Sequence, residues 1–241
     1  MVYRILFSST YSAVEKILLL VAFMMSVIFA ICLHEFAHGF AAYKLGDPTA
    51  KYSGRLTLNP LAHFEPFGLA MFVLVGFGFA RPVPINPNNF RNYRKGMLLT
   101  AFAGVIANLC LAIIGFGLMI GFYYAFAIYV TKKSALYYFL FFLYEFSLFL
   151  TLLNAVLIAF NLLPIFPLDG FRVVEGLSRT ENGYLRFMRS YGVYILIGIV
   201  AVGFFFERIN LPQGDIFGMY LSAVQRGILE LFDMVMKGVL G

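Results

Sequence analysis

Apolar positions in this chain do not keep to a helical or strand period but run on for the width of a bilayer. A membrane-crossing helix needs about 20 apolar residues. Ala13–Tyr43, Leu98–Val130, Ala135–Leu163 and Tyr191–Phe206 read as spans, and the second and third are long enough to tilt or project beyond the lipid. Ile216–Val239 is interrupted by Arg226, Glu230 and Asp233, and fits either a last span or an amphipathic surface helix. Phe67–Phe79 is too short to cross unaided and predicts a re-entrant or interfacial segment.

Between Gly46 and Asn92 the texture changes. "GDPTAKYSGRLTLNPLAHFEPFG" and "ARPVPINPNNFRNYRKG" are rich in Pro, Asn and Gly. Alternation in "YSGRLTL" predicts a short strand, and "RPVPINP" an extended, edge-like segment where proline is tolerated. The expected fold is an all-α membrane protein. It is a polytopic helical bundle of about 4–6 transmembrane helices, with small membrane-associated β elements between the first two long spans. No tandem repeat and no low-complexity tail is evident, so residues 1–241 read as one integral membrane domain.

Composition agrees. Of 241 residues, 61% are hydrophobic and 12% charged, against roughly 45–50% and 25% in soluble domains; mean hydropathy is +0.86. The formal charge of +6 then reports basic cytoplasmic loops rather than nucleic-acid binding. Cys32 and Cys110 both sit in apolar runs and read as small packing residues, not a disulfide framework or thiolate site. The first apolar run has no small-residue cleavage site, so it is expected to stay as a helix.

Lysine and arginine set the orientation. If Phe67–Phe79 does not cross, Lys44, Lys51, Arg55, Arg81, Arg91, Arg94 and Lys95 share one side with Arg172, Arg179, Arg186 and Arg189. Lys132 and Lys133 lie on the other. The basic-rich side is expected to be cytoplasmic. That puts the amino terminus outside, and both His34–His38 and Leu163–Asp169 toward the cytoplasm.

Those two segments carry the chemistry. His34, Glu35 and His38 form HExxH. On a helix, positions i and i+4 share a face, so both imidazoles reach one ion while Glu35 reaches a water on it. A chance HExxH is common in soluble sequences. Here it holds two of the three histidines and lies where ionisable groups are functional by default. Zinc takes a third protein ligand and leaves a position for water. The candidates are His63, Glu145, Asp169 and Glu175. Pro164 and Pro167 break the third span just before Asp169, and broken backbone at membrane depth is tolerated only inside protein or beside a wet cavity. Asp169, on the HExxH side of the membrane, is the best third ligand; the bland alternative is an ordinary helix cap.

With "HEFAH" at 34–38 and "NLLPIFPLDG" at 161–170, the sequence resembles the site-2 protease family of intramembrane zinc metalloproteases. Looser resemblance runs through "NPLAHFEPFG", "RPVPINPNNFRN" and "AGVIAN", covering most of 13–172, the expected catalytic core. The resemblance implies that His34, His38 and Asp169 hold one zinc ion, that Glu35 is the general base, and that Asn161 holds the substrate or stabilises the oxyanion. It also implies a bacterial or archaeal cell-membrane enzyme that cuts transmembrane-helix substrates in signalling. No PDZ or CBS domain is visible, so built-in regulation of those kinds is not expected. The carboxy-terminal helices, 184–241, carry no signature.

Other residues read more plainly. His63 suits a structural role in its loop, and Glu145 lies far from Asp169 along the third span. Gly104 and Asn108, one turn apart, permit close helix contact near the site, and Gly117 and Gly121 form a GxxxG packing face. The 29 Phe and 15 Tyr are lipid-facing bulk. An extended substrate would be held by β-addition to "RPVPINP" or "YSGRLTL". A metal transporter or sensor built on the same cluster would want further polar positions and internal repeats, and an inactive relative would not need Glu35.

Overall fold

The structure is a computed structural model that describes residues 10–65, 68, 81–209 and 211–240. Every regular element among them is helical. We number the α-helices α1 (Ala13–Lys44), α2 (Thr49–Tyr52), α3 (Tyr93–Tyr129), α4 (Ala135–Asn161), α5 (Asp169–Leu177), α6 (Gly183–Arg208) and α7 (Ile216–Leu240).

Local chemistry sets the ends of the long helices. Ser12 caps α1 in a reciprocal box with Glu15: the Glu15 N–H donates to the Ser12 hydroxyl at 3.3 Å, and the Ser12 N–H to the Glu15 carboxylate at 2.7 Å. The helix stops at Leu45, and Gly46 follows at φ +113°, a conformation side chains resist. Asn92 caps α3, accepting from the Lys95 N–H at 3.0 Å, and Ser134 caps α4. Beyond Asn161, Pro164 and Pro167 deny the chain further helical N–H donors.

Among the described residues, four helices are long and apolar enough to cross a membrane: α1, α3, α4 and residues Gly183–Phe206 of α6. The first three pack mutually, α5 packs on the start of α3, and α7 packs on α4. Leu19, Phe23, Val27 and Ile31 of α1 interlock with Phe141 and Phe149 of α4, while Met119 of α3 meets Phe232 and Met236 of α7. Lipid is as apolar as these side chains, so close approach and interhelical hydrogen bonds must fix the register. Ser26 donates from α1 to the Phe146 carbonyl at 3.1 Å. Gly115 lets α3 meet Ser147 and Thr151 of α4 so closely that a Cβ there would lie 2.7 Å from the Thr151 hydroxyl.

Helix α6 stays beside the proline break. Tyr184, in its first turn, donates to the Pro164 carbonyl, and Gly198, Ile199 and Val202 line a cavity with Leu163 and Ile165. One turn into α7, Tyr220 donates to the Ala159 carbonyl at 3.3 Å.

Several expectations need correction. No strand forms among the described residues, where Phe64 shows only an isolated bridge. Tyr52–Leu58 is the end of α2 followed by turns, with Gly54 at φ +68°. Arg81–Asn86 is irregular and Pro87–Asn89 forms a single 3-10 turn; Pro82 and Pro84 have no N–H to give a ladder, and the N–H groups of Val83 and Asn86 are engaged as described below. Gly117 and Gly121 face open space, so their GxxxG packs against nothing described in this chain. Cys110 is exposed on α3 rather than packed, whereas buried Cys32 donates to the Leu58 carbonyl at 3.1 Å. The predicted Phe67–Phe79 segment lies outside the described residues, Gly68 apart.

Candidate active site

His34 and His38 lie one turn apart on the last third of α1, facing α3 and α5. Their rings meet edge to face with centroids 4.4 Å apart, and their Nε2 atoms are 2.9 Å apart. Helix α3 can come this close because position 104 is glycine. A Cβ there would sit 2.6 Å from His34 Cε1 and closer still to His38 Nε2.

Asp169 arrives from the other side of the break. Leu162–Leu168 folds back through short turns, with Leu168 N–H donating to the Ile165 carbonyl at 2.8 Å. Gly170 lets the start of α5 press onto the carbonyls of Leu162 and Leu163, where any Cβ would clash. One Asp169 carboxylate oxygen thereby lies 3.1 Å from His38 Nε2 and 3.4 Å from His34 Nε2. All three side chains are buried. Burial pushes the Asp169 carboxyl up, but the two imidazoles beside it win and hold it below the ordinary aspartate range.

The donor set fits a divalent metal. The three ligand atoms lie within 4.8 Å of one another. Although close to both imidazoles, Asp169 Oδ2 forms no well-directed hydrogen bond among the described residues, and it faces the paired Nε2 atoms of His34 and His38. On the outer side, His38 Nδ1 meets the Thr100 carbonyl at 2.7 Å. A carbonyl only accepts, so Nδ1 carries the proton and the Nε2 lone pair is free for an ion. Two imidazoles and one carboxylate with a position left over are a catalytic zinc pattern.

Glu35, beside His34, points toward the loop after position 80. Its carboxylate accepts the Val83 N–H at 2.8 Å, and Val83, 4% exposed, packs over Gly39. This loop is anchored at its far end by Asp47. That fully buried carboxylate accepts the N–H of Asn86 at 2.7 Å, the Asn89 amide at 2.8 Å, the Thr49 N–H at 3.1 Å and the Thr49 hydroxyl. The Val83 and Asn86 N–H groups therefore already have acceptors and are not free to pair with an added strand.

The other candidates separate cleanly. His63 is fully buried and pairs with the Thr57 carbonyl at 2.8 Å, a structural loop contact. Glu175 pairs with Arg189 and accepts from the Tyr93 hydroxyl at 3.2 Å. Glu145 is half-buried on α4 and is not among the clustered ligand atoms. Asn161 closes α4 with its amide turned back onto the Leu157 carbonyl at 3.0 Å, and no hydrogen bond among the described residues links it to the cluster. Asn108 is fully buried, one turn from Gly104, and both its amide atoms lack a partner among the described residues. Sequence reasoning missed Val83 and Thr100, which act through backbone groups, and Arg172, whose guanidinium lies 3.8 Å from Asp169.

Comparison with known proteins points the same way. The model of peptidase family M50 matches residues 22–203, which contain every member of this cluster. The chain is 36% identical over 221 residues to a Bacillus subtilis (strain 168) protein named "Putative zinc metalloprotease YwhC", covering 90% of this chain and 93% of that one. It is 32% identical over 154 residues to "Putative zinc metalloprotease Rip2" of Mycolicibacterium smegmatis, covering 61% of this chain and 54% of that protein. The Rip2 of Mycobacterium tuberculosis (strain H37Rv) is 30% identical over 157 residues, covering 64% and 56%. No solved structure matches.

Proposed function

We propose, from the premise that the chain belongs to peptidase family M50 and is a zinc metalloprotease embedded in the membrane, that it cuts peptide bonds of membrane-anchored proteins at the His34–His38–Asp169 centre. The observation that carries this is the convergence of those three buried ligand atoms beside Glu35, between helices that cross the bilayer.

His34, His38 and Asp169 would hold the ion, which when bound supplies a Lewis acid for the scissile carbonyl and lowers the pKa of its water. This chain's residues do the rest. Glu35 takes a proton from the attacking water on the carboxylate oxygen not engaged by Val83, and returns it to the leaving amine nitrogen. The Val83 N–H fixes that carboxylate in place, and Thr100 fixes the His38 tautomer. Buried walls keep bulk water from the reacting centre. Asn161 would assist the oxyanion after its amide leaves the Leu157 carbonyl; Asn161→Ala then lowers kcat while zinc remains bound.

Charge distribution supports an active site that opens toward the cytoplasm of a bacterial or archaeal cell, because the loops at the ligand-bearing helix ends hold most of the lysine and arginine. Residues 13–172 form the catalytic core in this reading, with 184–241 as carboxy-terminal helices. The substrates are single-span regulators whose cleavage releases a signal.

The deciding experiment is cleavage of single-span proteins in detergent by purified wild type and Glu35→Gln, with zinc content measured on both. Cleavage by wild type alone, abolished by a zinc chelator, is the expected result. Cleavage that persists in Glu35→Gln or without zinc would overturn the mechanism. Metal flux into vesicles without cleavage would replace it with transport.

A further inference from the structure

A cavity of about 220 Å³ opens next to the metal centre, between the 85–90 loop, the start of α3 and α5. We infer that it is a specificity subsite that accepts one large apolar side chain of the substrate next to the scissile bond. The inference rests on the protease reading above and adds which side chains that protease selects.

One side of it is apolar, built from Ile85 and Phe90 of the loop, Phe166 of the proline break and Phe171 of α5, while Arg172, Glu175 and Arg189 line the other. A space of this size suits one side chain, whereas small-molecule pockets run to roughly 300–1,000 Å³. Two further lining residues belong equally to the metal centre. Thr100 accepts from His38 Nδ1 through its carbonyl, and Arg172 lies 3.8 Å from Asp169. The cavity thus shares two residues with the surroundings of the metal ligands, which places it within reach of a side chain next to the scissile bond.

The polar atoms indicate how the occupant is held. Thr100 is 2% exposed, yet its hydroxyl has no partner among the described residues. A buried hydroxyl without a partner is unfavourable by about 1–3 kcal/mol, so an acceptor that the substrate brings to it, once the wall shifts to admit one, gains affinity. The substrate backbone carbonyl beside the inserted side chain is such an acceptor, and Arg172 is a second donor at the same end. The remaining charges on the lining, Arg189 and Glu175, pair with each other and ask for no charged occupant. A carboxylate or ammonium in the aromatic walls would lose its hydration with nothing to replace it.

The loop supplies the adjustable wall. Ile85 is partly buried and stands just before the Asp47-anchored turn rather than on a helix, so a change there alters the cavity without touching a metal ligand.

The test uses the full chain in detergent and a set of single-span substrates carrying Ala, Leu, Phe or Asp at each position flanking the cut. Wild type, Ile85→Trp and Ile85→Ala are compared by mass spectrometry of products, with zinc content measured on each. Wild type should favour Leu or Phe over Ala at one position by roughly 10- to 200-fold in kcat/KM, the range for such side-chain differences in a hydrophobic pocket. Ile85→Trp should lower that Phe/Ala ratio at least about tenfold, and Ile85→Ala should shift the preference from Leu toward Phe. A ratio that neither variant moves, whatever their absolute rates, would overturn the subsite and leave the protease intact. So would a preference for Asp, which would assign the cavity to Arg172 as an anion site. Failure of wild type to cut any substrate would overturn the protease reading, and the subsite with it.

Discussion

The N–H of Val83 donates to the carboxylate of Glu35 at 2.8 Å across 48 positions of sequence. A loop with prolines on both sides of Val83 thus reaches into the bundle and holds Glu35, the residue proposed above as the general base. A hydrogen bond to a charged group contributes about 1.5–3 kcal/mol. Removing it should lower kcat by roughly 10- to 100-fold. Val83→Pro deletes the donor, while Val83→Ala keeps it and removes only the contact with Gly39. Steady-state kinetics should show a large kcat loss in the first and a small change in the second, with zinc bound in both. Equal losses would assign Val83 to packing instead.

Gly104 and Gly117 lie on the same helix and make opposite predictions. A methyl at 104 would push into both imidazoles, whereas one at 117 meets nothing within 4 Å. Gly104→Ala should weaken zinc binding by at least about 10- to 100-fold, the range seen when residues supporting metal ligands are lost. Gly117→Ala should leave zinc unchanged and stabilise the helix by up to about 1 kcal/mol. Chelator competition and thermal unfolding separate the two.

How much of this was legible beforehand depends on which groups carry the information. The long helices follow from unbroken apolar runs, and α1, α3 and α4 fall within a few residues of their expected bounds. That His34, His38 and Asp169 would come together was legible because helical spacing and a proline break are local signals. Val83 and Thr100 were not, because each acts through its backbone, which leaves no mark in residue type. The β elements failed for a related reason. Alternation in "YSGRLTL" resembles a strand, but a strand needs a partner, and prolines in "RPVPINP" remove the donors that would make one.

At the opposite end of the bundle, Glu15 is 2% exposed and binds Lys133 at 2.8 Å and the Tyr137 hydroxyl, while also capping α1. It ties the first helix to the turn between α3 and α4, far from the metal. Glu15→Ala should lower stability by about 1–3 kcal/mol, seen as a thermal midpoint lower by roughly 2–4 °C per kcal/mol. Zinc affinity should not move. A matching loss of zinc would show that the two ends of the bundle are coupled.

Asp47 makes the pH-dependent prediction. Burial pushes its carboxyl up, but hydrogen bonds from the Thr49 hydroxyl, the Asn89 amide and two backbone N–H groups outweigh it, so the group sits below the ordinary aspartate range. The unfolded chain therefore takes up this proton first as pH falls. The stabilisation is fully present above the unfolded value, near pH 4, and is lost as pH falls through the folded one. Asp47→Asn keeps the shape but removes the charge and turns one acceptor into a donor facing other donors. At neutral pH it should be less stable than wild type by about 1.5–3 kcal/mol. Below about pH 4 the difference should shrink, because wild type is then becoming protonated too. Because the same carboxylate anchors the loop that carries Val83 and Ile85, limited proteolysis of Asp47→Asn at neutral pH should open this loop first. A stability gap that stays constant from pH 7 to pH 3 would mean that the charge of Asp47 contributes nothing and that only its shape holds the loop.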